Sequence, residues 1–205
     1  MAEEELRRLR TAAAPRLAAA VSERLRELAM PGARFEVTVG TVGAGDDVQF
    51  LIGANRGESL LALNRVASGG ELARTMLALR LVVEGGAPTM LFDEVDAGVG
   101  GAAALTLARS LREVAATRQV LVVTHLPQVA ASADHQIVVQ KAVEGNRTFA
   151  TAHPLDTEGR IVELSRMLSG HPDSATARAH AEELLFSAQG SATSATSTTS
   201  GSRRD

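Results

Sequence analysis

Two short apolar runs without alternation, Thr89 to Phe92 and Val120 to Val123, each end in a polar pair: Asp93-Glu94 and Thr124-His125. Strands of this kind belong to sheets covered on both faces, which are typically parallel. Functional groups in such α/β folds collect where the parallel strands end. Neighbouring strands would therefore bring Asp93-Glu94 and Thr124-His125 together. That pairing constrains the fold more than any other feature of the 205 residues.

The remaining segments alternate between helical and strand periods. From Glu3 to Ala29, Leu6, Leu9, Ala13, Leu17, Val21, Leu25 and Leu28 form one stripe of an amphipathic helix. Pro15 implies either a kink or the start of a second helix, and Pro31-Gly32 ends the pattern. Phe35, Val37 and Val39 then alternate as in a strand, Gly40 to Gly45 reads as a turn, and Val48 to Ile52 as a second strand. Asn55 to Glu58 is loop-like. Helices are expected over Ser68 to Val83, Ala102 to Ala116, Ile161 to Leu168 and Ala175 to Phe186. A hairpin is expected from Ile137 to Gln140 and Thr148 to His153 around Gly145-Asn146. The Ser- and Thr-rich tail offers too little apolar area to order itself. The chain thus reads as a helix over 1–30, an α/β region over 31–187 and a disordered tail over 188–205.

Composition removes several functional classes. The length suffices for a buried core, and with no Cys there is neither a disulfide framework nor a thiolate site. Aromatics are 2% of residues, with no Trp or Tyr, which disfavours stacking platforms for single-stranded nucleic acid. The net charge of −3 argues against a broadly basic DNA-wrapping surface but leaves room for a local patch. Arg7, Arg8 and Arg10 read as a solvated helix face rather than as DNA contacts. The first residues are charged and no apolar run approaches the roughly 20 residues of a spanning helix, so the expectation is a cytoplasmic protein without a membrane partner.

Three segments carry groups capable of chemistry. Ser68-Gly69-Gly70-Glu71 reads as a capping box, with Ser68 accepting from the amide three residues on and Glu71 reaching back to the Ser68 amide. Its two glycines also allow backbone amides at a helix N-terminus to approach an anion such as phosphate. Asp93-Glu94 is either a pair of solvated turn carboxylates or a site in which Asp93 holds Mg²⁺ and Glu94 polarises the attacking water, with Asp96 close by. His125 is either a structural hydrogen-bond partner or part of that same site. Asp93, Asp96 and His125 would also suit a metallohydrolase, an alternative that explains neither Ser68 to Glu71 nor the order of the segments.

That order resembles the second half of an ABC-type ATPase head: signature motif, Walker B strand, D-loop and switch histidine. Asn64 to Arg74, Phe92 to Gly101 and Val123-Thr-His-Leu-Pro-Gln-Val-Ala130 are similar to the RecN family of the SMC-like branch. So are Arg160 to Gly170 and His180 to Leu185, and the resemblance runs from about Leu17 to Phe186. It implies that Ser68, Gly69 and Gly70 contact the γ-phosphate of ATP bound on an opposing head. By the same resemblance Asp93 supports Mg²⁺, Glu94 is the catalytic base, Asp96 lines the interface between heads and His125 senses the γ-phosphate. The implied partners are a second head in a homodimer, or an N-terminal lobe, and DNA, in double-strand break repair at the nucleoid. The first helix would be the returning arm of a coiled coil.

The P-loop pattern Gly-x-x-x-x-Gly-Lys-Ser/Thr requires a lysine to reach the β- and γ-phosphates. The one lysine, Lys141, lies between Gln140 and Ala142, and no such pattern occurs. The expectation is a C-terminal lobe whose strands leave an edge and apolar surface open, inactive until an N-terminal lobe joins it. A non-catalytic module docking on another ATPase head is the alternative.

Overall fold

The computed structural model describes residues 1–66, 68–83, 87–144, 147–171 and 174–195. They fall into two units, Met1–Thr124 and His125–Asp205.

The first unit opens with helix α1, Ala2–Glu27, which runs through Pro15 without a break. Of its predicted stripe Val21 and Leu25 are buried, with Leu28 just beyond, while Leu6, Leu9 and Ala13 are exposed; Ala14, beside the stripe, is also buried. The helix ends where Ala29 adopts a left-handed φ of 61° and the Met30 amide bonds back to the Leu25 carbonyl at 3.0 Å. Strands β1, Arg34–Val39, and β2, Val48–Gly53, pair antiparallel from Arg34↔Gly53 to Val39↔Val48. A two-residue strand, β3, Leu61–Ala62, which periodicity did not anticipate, adds to β2. Phe35 and Phe50, diagonal across β1 and β2, stack with centroids 5.8 Å apart.

Arg8 pairs with Glu5 on the helix surface, as expected of a solvated face. Arg7 and Arg10 differ from that expectation. Arg7 donates to the carbonyls of Thr41 and Gly43, and Arg10 to Ala44 O at 3.0 Å and to Asp46 at 2.6 Å. They strap the β1–β2 turn to the helix, because that turn leaves its carbonyls without ladder partners.

Helix α2, Gly69–Val82, strand β4, Thr89–Phe92, helix α3, Ala102–Ala115, and strand β5, Gln119–Val122, follow. β4 and β5 pair in parallel from Thr89↔Gln119 to Phe92↔Val122, as the apolar runs require. Among the described residues of the first unit, their sheet is not covered on both faces. Phe92 is buried on one side, while Leu91 and Leu121 share the other and are 68% and 44% exposed, with Val123 beyond them at 58%. A sheet whose apolar residues are built for cover on two sides has it here on one.

The second unit contains the short helix α4, Pro127–Ser132, the antiparallel hairpin β6, Ile137–Glu144, and β7, Arg147–Pro154, and helices α5, Thr157–Ser169, and α6, Ala175–Ala195. The Gly145-Asn146 turn lies outside the described residues. α6 continues through Ala195, so 188–195 of the predicted tail is helical rather than disordered; alanines at 188, 192 and 195 favour that state. The tail from 196 onward lies outside the described residues. Ala130, Ala131, Ile161, Leu164, Ala181 and Leu185 form this unit's core.

Arg160, buried at the edge of that core, closes the C-terminal end of α4. Its Nη2 donates to the carbonyls of Ala133 at 2.7 Å, Ala130 at 3.2 Å and Ala131 at 3.3 Å. Burial pushes its pKa down, with Asp134 opposing. Arg160→Ala should destabilise the second unit by about 2–4 kcal/mol, since several carbonyls lose one shared donor. Urea denaturation followed by circular dichroism would measure this, with Arg160→Lys falling between.

Candidate functional site

The site forms where the N-terminus of α2 meets the loop leaving β4. Ser68 caps α2 from an extended conformation, its Oγ accepting from the Glu71 amide at 3.4 Å. The Ser68 half of the capping box is therefore realised, without the return bond from the Glu71 side chain among the described residues, and the two glycines do something further. A Cβ added at Gly69 would stand 2.5 Å from a carboxylate oxygen of Glu94. At Gly70 it would stand 2.8 Å from Cβ of Ala97 and 3.1 Å from the Glu94 carbonyl. At Gly70 helix and loop approach so closely that only hydrogen fits, whereas at Gly69 the near atom is the movable end of the Glu94 side chain.

The loop turns sharply after β4. Glu94 has a left-handed φ of 57°, a conformation that costs a non-glycine residue about 1–2 kcal/mol and is common at functional sites. The Ala97 amide closes the turn on the Glu94 carbonyl at 3.0 Å. Asp93 and Glu94 are both exposed. The carboxylate of Glu94 lies at the positive end of α2, where helix dipole and free amides favour an anion.

Arg74, one turn after Gly70 on the buried face of α2, holds the loop down. It is 7% exposed, and its Nη1 donates to Ala97 O at 2.6 Å and to Val95 O at 3.4 Å. Burial pushes its pKa down, against Glu71 and Asp96, which pull it up. Sequence reasoning assigned Arg74 no role. The available signal was an arginine on the stripe of Gly70, Leu77 and Ala78 rather than beside it.

Asp96 is 2% exposed and accepts from Thr124 Oγ1 at 2.5 Å. The resemblance implies an interface-lining residue; the structure places it inside, tying the β4 loop to the end of β5. The Val123 amide extends the parallel ladder to the Phe92 carbonyl at 2.9 Å. Ser68, Gly69, Gly70, Asp93, Glu94 and Asp96 thus come together with Thr124, while His125 is the first residue of the second unit and is exposed. Among the described residues no three His, Cys, Asp or Glu side chains converge as a metal cage, which gives the metallohydrolase alternative no support.

The DNA repair protein RecN of Streptomyces coelicolor is 48% identical over 200 residues, covering 88% of this chain and 35% of its own length. The chain belongs to the RecN family. RecN of Deinococcus radiodurans is likewise 48% identical, over 166 residues, covering 78% of this chain and 29% of its own length. The chain spans about a third of the length of these RecN relatives. No family model matches it. Among solved structures, the Smc head domain with coiled coil and joint from Pyrococcus yayanosii gives a TM-score of 0.55 at 23% identity, covering 78% of this chain and 30% of that one. The Smc head with an extended coiled coil from Pyrococcus furiosus, bound to the C-terminal domain of ScpA, gives 0.50 at 23%, covering 77% and 39%. The fold of this RecN-family chain is that of an SMC-type ATPase head segment.

The two glycines should respond differently to the same added methyl. Gly70→Ala drives Cβ into backbone and should cost about 1–3 kcal/mol. Gly69→Ala meets only the end of a flexible carboxylate and should stay within about 0.5 kcal/mol of the parent. Thermal melts of both variants would decide; equal losses would contradict the close packing at Gly70.

Proposed function

We propose that this chain is the ATP-binding and hydrolysing head segment of a RecN-like protein acting in DNA double-strand break repair, active when joined to a lobe that carries a P-loop. The observation that carries the proposal is the convergence of α2's Gly69-Gly70 end with Glu94, next to Asp93 at the end of β4, in a chain nearly half identical to DNA repair proteins. The exposed face of β4 and β5 supports the need for a further lobe.

The residues fit the groups that the proposal requires. Mg²⁺ keeps several waters and takes one or two carboxylates together with phosphate oxygens, so one exposed carboxylate at a strand end suits it. Asp93 would supply that ligand. Bound there, the cation would offset charge on the transferring phosphoryl group. Glu94, exposed and held by its turn, would orient the attacking water and accept its proton. Ser68 and the amides of Gly69 and Gly70 would receive the γ-phosphate of a nucleotide held on the opposing head. Asp96 keeps the loop in register through Thr124, and the resemblance gives His125 the role of sensing a γ-phosphate. A second head would thus be both partner and substrate carrier, and α1, whose Leu6 and Leu9 are exposed, would continue as a coiled-coil arm.

The isolated chain should show essentially no ATP turnover. Mixing it with a P-loop-bearing segment from a RecN relative should restore hydrolysis, and Glu94→Gln should then reduce it by roughly 10²- to 10⁴-fold. A phosphate-release assay measures both. Robust turnover by the chain alone, lost on Glu94→Gln, would defeat the two-lobe reading.

A further inference from the structure

We propose that a cleft lined by Arg26, Arg34 and Arg56 in the first unit binds backbone phosphates of duplex DNA. Arg26 sits in the last turn of α1, Arg34 opens β1, and Arg56 lies in the loop after β2. Three positions distant in sequence thus converge on one solvent-open cleft of about 330 Å³. Gly32 makes the convergence possible, because a Cβ there would stand 3.0 Å from the Arg56 backbone nitrogen.

The charge of this cleft is not neutralised from within. Arg7, Arg10, Arg24, Arg74 and Arg160 all bond internal acceptors, whereas among the described residues none of the three cleft arginines makes a hydrogen bond or ion pair. The one acidic lining residue, Glu58, accepts from the Asn55 amide at 3.0 Å and from its side chain at 2.9 Å, bonds that hold its pKa below the usual carboxylate range. Three guanidinium groups therefore face one carboxylate already engaged elsewhere, in a chain whose net charge is −3. Such a concentration of cations against an acidic background attracts an anion.

The form of the site selects the ligand. Guanidinium forks match phosphate oxygens. The lining contains no aromatic residue to stack a base, so contact would be with the backbone and independent of sequence. An open cleft suits a strand passing across it better than an enclosed small molecule. The choice of DNA over free phosphate rests on the repair reading; the cationic cleft does not.

Fluorescence anisotropy of the full chain with a labelled duplex of mixed sequence, titrated over a series of salt concentrations, tests this. Three phosphate contacts account for roughly a 40-fold loss of affinity between about 50 and 200 mM salt. R26A/R34A/R56A should weaken binding and make the slope of log K against log salt shallower by about 2 to 3. R26K/R34K/R56K should keep most of that slope, and if the alanine triple does not fold, R34E and R56E singly should weaken binding in the same way. Unchanged affinity and slope in the alanine or glutamate variants would overturn the proposal, as would no duplex binding at the lowest salt. Arginine-dependent binding of inorganic phosphate without duplex binding would overturn the assignment to DNA. The assay uses neither ATP nor a second lobe, so its failure is separate from failure of the ATPase reading.

Discussion

The candidate site depends on the Arg74 guanidinium reaching out of α2 to the carbonyls of Val95 and Ala97. A buried cation is expensive unless its donors are used, and a tight turn leaves carbonyls that need donors. Nη1 meets both needs at once, while Nε stays buried without a partner among the described residues. With the loop drawn onto the helix, Gly70 has no room for a side chain, Glu94 is forced into its left-handed conformation, and Asp96 is carried inward to Thr124. The exposed carboxylates of Asp93 and Glu94 are what the held-down loop presents outward.

Much of this was legible in the residues. The unbroken apolar runs correctly implied a parallel pair, and the register Phe92↔Val122 places the two polar ends alongside one another. Ser68 caps its helix as the spacing suggested. The missing parts share a physical cause. β3 is two residues long and α4 six, too short for any periodicity to declare itself. Arg7 and Arg10 looked solvated because their partners, backbone carbonyls and for Arg10 also Asp46, lie more than thirty residues away, beyond the reach of any local pattern. Arg74 and Arg160 escaped for the same reason: each is an arginine that satisfies main chain rather than an acid.

Arginine thus has two distinct uses in a chain with a single lysine. Where a guanidinium meets backbone carbonyls it pins turns and helix ends. Where it meets nothing, as at Arg26, Arg34 and Arg56, it leaves charge available to a ligand. The planar fork suits both, and an ammonium would serve the first less well because it cannot spread donors across successive carbonyls in one plane.

The uncovered face of β4 and β5 also bears on how stability is to be understood here. Leu91, Leu121 and Val123 are about half exposed, so completing their burial is worth on the order of 1 kcal/mol each, and whatever covers them contributes a noticeable fraction of a typical domain's stability. If that cover belongs to the same polypeptide, its effective concentration is fixed by the connection. If it is a separate molecule, folding becomes partly bimolecular, and the melting temperature rises with partner concentration by mass action. In that second case the chain's own melting point is a floor, raised by each increase in the abundance of its complement.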